Sequence, residues 1–405
     1  MPNNPGIETL ERYQQREFVP EGVSLRDART AQALFIQLIE RPVASSDELE
    51  RWIADASELS AALDQEGTVL YIRMTCDTSH PQFAADYRAF VQEVLPAVKP
   101  LMDQLNRKFL EFTSHIPIDA NRYRVFERNL RADVELFRQD NVALETDVQL
   151  LAQEYQSVSA VMTVDFNGRE QTMPEMAAYQ LQTDRDVRER AWRATAQRRR
   201  QDADRIEGIF DVMLGLRDTI ARNAGFANFT DYQFRQYHRF DYGPEHCRRY
   251  HEAVVQCVVP VWRRILEKRR RQMGLETLRP WDLSVDPQGA PPLKPFAEVG
   301  DLITGAEKIF SMIDPDLGSA FEGMASKGLL DLESRRGKAP GGYQNTLAEA
   351  RQPFIFMNAV GIDADVRTLL HEGGHAFHAL ACADEPLYAY RHAPIEFCEI
   401  ASMSM

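Results

Sequence analysis

Apolar residues recur along most of this chain at spacings of three and four, the period that gathers them on one face of an α-helix. Ala31, Leu34, Phe35, Leu38 and Ile39 make one such stripe. Ser45 and Glu48 form a capping-box pattern ahead of a second, made of Leu49, Trp52, Ile53 and Ala56. Beyond Pro174 a long helical tract is predicted to about Asn223, with Ile206, Ile209, Phe210, Met213 and Leu214 on one side and Gly225 as its stop. Another helix spans residues 244 to 273 and is expected to kink at Pro260.

Strand signals are few. VMTVDF and REQTM flank Asn167-Gly168, the pair favoured in a two-residue hairpin turn. PFIFMN, from Pro353 to Asn358, is a short apolar run rich in β-favouring residues and is expected to be an edge strand. A turn-prone GIDAD follows, and then a helix over 364–381 with Asp363 or Asp365 as N-cap and Val366, Leu369, Leu370 and Phe377 on its apolar faces. DPQGAPPLKP, from 286 to 295, is the clearest irregular stretch and reads as a loop. No internal repeat is visible, which argues against a solenoid. The expected fold is mainly α with a small β-sheet, divided into an N-terminal helical lobe, 1–190, and a second region, 191–405.

The helix over 364–381 carries the chemistry. In His371-Glu372-Gly373-Gly374-His375 the two histidines stand one turn apart, so both imidazoles can reach one metal ion with Glu372 beside them. This HExxH arrangement suits a zinc site with an open position for water. A third ligand must come from another element. Glu396 and Glu399 lie on one side of a helix predicted to begin near Pro394, and spacing alone leaves both open. The other residues of that helix are mostly apolar, so its acidic residues are expected to face something specific. His378 is not expected as a ligand, because on an unbroken helix it stands about 10 Å along the axis from His371. A hydrogen bond beside the metal group is its expected role. Paired glycines cost a helix interior about 1 kcal/mol each, so Gly373 and Gly374 predict close approach by another backbone, a strand or a bound peptide.

HEGGHAFH, together with GGYQNTL and PFIFMN before it and EIASMSM after it, resembles the thimet oligopeptidase group, specifically the oligoendopeptidase F-like zinc peptidases. RPWDLSVDP, YGPEHCRRYHEAVV and LRADVELFRQDNVALETDVQLLAQEYQ extend the likeness over most of residues 120 to 405. The resemblance implies a helical zincin-type metallopeptidase with a deep substrate channel, cutting short peptides with one Zn2+. It places the ligands at His371, His375 and Glu399, leaves Glu396 as a neighbour, and makes Glu372 the general base. Gly342 and Tyr343 are expected to line the substrate cleft, where a peptide could pair with the strand at 353–358; a packed core role for Tyr343 is the equal alternative. Family members continue well beyond the position of Glu399, in a helical segment that supplies His and Tyr side chains to the transition state. Met405 follows Glu399 by six residues, so the chain is expected to be a fragment, with the remainder supplied by the parent chain or a second chain.

Composition fits this picture. A net charge of -14 disfavours nucleic acid as a partner. The arginine runs at Arg198–Arg200 and Arg269–Arg271 are read as solvated helix faces. Five scattered cysteines, odd in number, suggest reduced thiols rather than a disulfide framework. The N-terminal MPNNPGIETLERYQQ lacks a signal-peptide core, and no apolar run approaches a membrane span, so a cytoplasmic protein is expected. Two other classes remain open: a zinc-binding but catalytically silent partner or regulatory chain, and a helical interaction protein with an accidental HExxH.

Overall fold

The computed structural model describes residues 6–8 and 10–405; part of the N-terminal stretch read above for a signal peptide lies outside them. Six helices open the chain: α1 (Ala28–Glu40), α2 (Ser46–Cys76), α3 (Pro81–Ala89), α4 (Leu95–Thr113), α5 (Ala120–Leu136) and α6 (Asn141–Ala160). A hairpin, β1 (Thr163–Phe166) and β2 (Arg169–Thr172), then leads into α7 (Met173–Ala178), α8 (Arg185–Gln201), α9 (Ala203–Asn223) and α10 (Phe229–Gln236). After α11 (Pro244–Ala253), α12 (Val259–Gln272), α13 (Val299–Ile313) and α14 (Pro315–Ser326) come three strands, β3 (Leu330–Glu333), β4 (Tyr343–Leu347) and β5 (Gln352–Ala359). Two helices complete the fold, α15 (Asp363–Ala381) and α16 (Ile395–Met403).

The first stripes behave as their spacing demands. Asp27 caps α1 through the Thr30 amide, and Ala31, Leu34, Phe35 and Leu38 are buried. Ser45 accepts from the Glu48 amide, while the Glu48 carboxylate reaches back to Ala44 rather than to Ser45, so the box is displaced by one residue. The N-terminal half of α2 packs Leu49, Trp52 and Ile53 among α1 and α4. Its C-terminal half, through Val69, Ile72 and Cys76, joins the core built around β3, β4, β5 and α15. One long helix thus runs from the first core into the core beneath the sheet. Each large side chain so buried contributes about 1.5–3 kcal/mol.

Asn167 and Gly168 hold φ of 52° and 77°, the left-handed pair that a two-residue hairpin turn requires. The tract after Pro174 is not continuous. It breaks after α7, where Asp184 accepts from the Asp186 and Val187 amides and starts α8, and again at Asp202, between α8 and α9. Within α9 Ile209 is buried, but Phe210 and Leu214 are 57% and 48% exposed, so only part of this apolar side is covered. The helix over 244–272 does deform near Pro260: α11 passes into α12 through a π turn at Val254–Val258.

The three-stranded sheet has the order β3-β5-β4, with β3 parallel and β4 antiparallel to β5. The expectation of an edge strand at 353–358 is therefore wrong: β5 is central, and β3 and β4 are the edges. The sequence shows why, since Phe354, Ile355, Phe356 and Met357 are all buried, the continuous apolar run of a strand covered on both faces. Lys338, also buried, donates to the backbone oxygens of Asp331, Glu333 and Met357 and to the Asp331 carboxylate, tying β3 to β5. Asp282 plays a similar part elsewhere, accepting from Nε and Nη2 of Arg185 at 2.9 Å each and from Nη2 of buried Arg188 at 3.2 Å. Arg269 departs from the solvated reading: its guanidinium donates to the Asp282 carbonyl at 2.7 Å and to that of Val285, anchoring α12.

Candidate metal centre

α15 starts directly after β5. The turn that leads into it is held by Asp365, whose carboxylate accepts from the Val360, Gly361 and Ile362 amides at 2.8, 2.9 and 3.0 Å. Neither aspartate is the N-cap itself, which is Ile362; Asp365 reaches back from the first turn instead. Leu369 and Ala376 are fully buried and Phe377 nearly so, which fixes the rotation of the helix. His371 and His375 consequently face the same side, with ring centroids 4.9 Å apart and planes at 89°.

α16 delivers the carboxylate. His371 Nε2 lies 3.5 Å from Glu399 Oε2, and His375 Nε2 lies 3.8 Å from Glu399 Oε1. Ligand atoms of the three residues all fall within 4.8 Å of one another. Two atoms bound about 2 Å from one ion stand at most about 4 Å apart, so the His–Glu separations fit a shared cation of zinc's size. The His375 ring also hydrogen-bonds the Cys398 backbone, and burial pulls its pKa below the ordinary histidine value, which keeps the imidazole neutral as a ligand must be.

The paired glycines are explained by two different neighbours. A Cβ on Gly373 would meet the Phe310 ring at 2.6 Å, whereas one on Gly374 would meet Ser402 Cα at 2.6 Å and Ala401 O at 2.8 Å. Close approach by a second backbone is therefore correct for Gly374, but the partner is a helix, α16. For Gly373 it is an aromatic side chain.

Glu372 is buried beside the histidines, and its pKa rises to about 7, first through burial and then through the nearby Glu399 charge. The Gln344 backbone on β4 hydrogen-bonds it and opposes that rise. A cation in the site would pull the value down again. These groups line a cavity of about 410 Å3 whose walls are β4 from Gly342 to Thr346, α15, and the segment from Arg391 to Glu399. A larger cavity of about 1020 Å3 lies by the N-terminal segment, where Arg16 is paired with Glu349 and Arg26 with Glu66.

The remaining expected residues are distributed as follows. Gly342 lies against Glu372, whose Oε1 would be 3.6 Å from an added Cβ. Tyr343 borders the cavity, yet its ring stacks on Phe356 with centroids 4.7 Å apart and its hydroxyl is 2.6 Å from Thr75 Oγ1. His378 lines the cavity wall outside the group of three. Glu396 points elsewhere, accepting from Arg239 and Tyr242. Sequence reasoning missed Gln344, His392, Arg239 and Tyr242. Gln344 could have been found by following the strand one residue past Tyr343; the others are joined to the site only by distant folding.

Comparison with known proteins gives the family of the chain. The model of peptidase family M3 matches residues 178–405, and that of the peptidase M3 N-terminal domain matches 24–137. The plasmid-encoded oligoendopeptidase F of Lactococcus lactis subsp. cremoris is 24% identical over 157 residues, which are 37% of this chain and 24% of that protein. An oligoendopeptidase F homolog of Lactococcus lactis subsp. lactis (strain IL1403) is 26% identical over 151 residues, with the same coverage. The matched stretch thus spans about a quarter of these relatives' length. Among solved structures, PZ peptidase A with an inhibitor superposes with a TM-score of 0.87 at 26% identity, covering 96% of this chain and 68% of that one. A protein assigned as an oligoendopeptidase F gives 0.88 at 25% identity, with 95% and 68% covered. The helical body, the small sheet beside α15 and the family match over more than half its length agree: the chain belongs to peptidase family M3, in the likeness of oligoendopeptidase F.

Proposed function

We propose that this chain is the zinc-binding body of an endopeptidase that hydrolyses short peptides. The observation that carries the reading is the convergence of His371, His375 and Glu399 from two helices, with Glu372 buried beside them. Two neutral imidazoles and one carboxylate suit a single Zn2+, which when bound supplies Lewis acidity to a carbonyl and lowers the pKa of a bound water. Glu372, buried beside that position, takes the water proton and passes it to the leaving amine. The edge of β4, at Gly342 to Gln344, offers backbone groups to an extended peptide beside that carboxylate. Tyr343 supports this edge from behind through Phe356 and Thr75. His378 and Glu396 act around the ligands rather than as ligands. Free thiols at all five cysteines support a cytoplasmic setting. We keep the division at 1–190 and 191–405 as the working organisation, with α2 reaching from the first region into the core of the second.

The alternative, a zinc-binding but silent partner chain, is favoured by one observation. Ile395, Phe397, Ile400 and Met403 of α16 are 48–70% exposed, so the helix carrying Glu399 presents an apolar surface to a further polypeptide, of the parent chain or a second one. Turnover of an internally quenched peptide by this chain and by Glu372→Gln separates the readings. Catalysis by this chain predicts at least a ~100-fold drop with zinc retained. Equal rates in the two proteins, each holding one zinc, would leave only the silent reading.

A further inference from the structure

α16 carries Glu399, yet Ser402 is the only one of its nine residues that is buried. Its large apolar side chains are about half exposed or more, so apart from the approach of Ala401 and Ser402 to Gly374 no packed core fixes its rotation about its own axis. The rest of its hold is polar and comes from distant parts of the chain. In its first turn Glu396 accepts from Arg239 Nε at 2.5 Å and from the Tyr242 hydroxyl, both in the segment between α10 and α11. In the loop that leads into it, Glu385 accepts from both terminal nitrogens of Arg122 on α5, one of them at 3.0 Å. The same loop is pinned by Tyr390, whose hydroxyl donates to the Arg122 carbonyl at 2.6 Å and accepts from the Phe126 amide at 3.1 Å.

Glu396 and Glu399 are three residues apart, neighbours on one side of the helix. A turn of α16 that released Glu396 from Arg239 would swing Glu399 away from His371 and His375. We propose that Arg239 and Tyr242, through Glu396, and Arg122, through Glu385, are positioning residues that set the rotation of α16 and hence the aim of the Glu399 carboxylate. The inference rests on the zinc reading above. It gives α5 and the segment after α10 a part in assembling a site to which they contribute no ligand.

The test uses the whole 405-residue chain. Zinc affinity is measured by competition with a chromogenic chelator, and ligand geometry by the visible spectrum of the cobalt(II)-substituted protein. Glu396→Ala and Glu385→Ala are each expected to weaken zinc about 10- to 100-fold, with altered cobalt bands. Glu396→Gln, which can still accept from Tyr242, is expected to fall between wild type and Glu396→Ala. Should an alanine variant fail to fold, Tyr242→Phe removes one hydroxyl and must still weaken zinc. A merely structural role would lower the melting temperature of the metal-free protein and leave zinc affinity and the cobalt spectrum as in wild type; that result overturns the proposal. If folded wild-type protein takes up no stoichiometric zinc, the metal reading fails with it, an outcome distinct from normal zinc binding in all variants.

Discussion

Two long helical stretches of this molecule both carry an apolar stripe and have opposite surroundings. α2 buries Leu49, Trp52, Ile53, Leu59, Ile72 and others along its whole length. The stretch formed by α11, the π turn and α12 is nearly as long and has no buried residue at all. Its apolar stripe is real: Val255, Val258, Trp262 and Ile265 recur at helical spacing and are 62, 54, 55 and 50% exposed. Periodicity states which face seeks burial, and says nothing of what buries it. α12 is fixed by Arg269 on the Asp282 and Val285 carbonyls, so a polar anchor stands where α2 has a core.

Removing the same side chain from both stretches gives the largest expected contrast. Trp52 is 2% exposed, lies edge-on to Phe112 at 5.6 Å and donates its indole N–H to the Leu38 carbonyl at 2.9 Å. Trp52→Ala should cost about 3–5 kcal/mol in urea unfolding, from lost burial, a cavity and an orphaned carbonyl. Trp262→Ala should stay within about 0.5 kcal/mol, because the ring is already in water. A comparable loss at Trp262 would show that its face is covered in solution and would dissolve the contrast.

This asymmetry also marks how far the sequence could be read. The stripes of α1 and α2, the Asn167-Gly168 hairpin and the metal-centre helix follow from local spacing, and each stands where its pattern put it. HExxH fixes the relation of His371 to His375 because one helical turn is a local geometry. Local patterns left Glu396 and Glu399 both open as third ligand, and only the family likeness favoured Glu399. In the structure, the approach of α16 to Gly374 and the hold of Arg239 on Glu396 bring Glu399 to the histidines. Both contacts join distant residues, and no periodicity encodes them. The strand error at 353–358 has the same origin: an apolar run shows that a strand is covered but not which neighbours cover it. Phe210 and Leu214 stay exposed on an apolar side for the same reason.

Glycine substitutions sharpen the comparison at the next scale. In Gly374→Ala the new methyl would stand 2.6 Å from Ser402 Cα and 2.8 Å from Ala401 O, backbone atoms that move only if α16 moves. A loss of about 1–3 kcal/mol is expected, with weaker zinc binding as Glu399 is displaced. Gly208, on exposed α9, has nothing within 4 Å of an added Cβ. Gly208→Ala should gain up to about 1 kcal/mol through helix propensity alone. Thermal melts of both variants with and without zinc check the pair; equal and zinc-independent shifts would mean that α16 does not press on α15.

The smallest effect sets two carboxyl groups against each other. Asp64, largely buried on α2, has its pKa pushed up to about 6 by burial, against hydrogen bonds with Tyr388 and Thr68. Glu267, partly exposed on α12, is pulled down to about 2 by Arg270 and Arg271. A carboxyl whose folded pKa is raised holds its proton more tightly in the native state. Its stabilising contribution is therefore complete below the unfolded pKa of about 3.9 and is lost as pH rises through about 6, leaving a constant penalty above. Asp64→Asn removes the charge, so it should match wild type near pH 4 and exceed it by about 1–2 kcal/mol at pH 7. Glu267→Gln should leave the unfolding midpoint unchanged at neutral pH, because its pairs lie in water and are screened. A pH-independent difference for Asp64→Asn would mean that Tyr388 and Thr68 solvate the carboxylate as well as water does, and that α2 tolerates a charge as readily as α12.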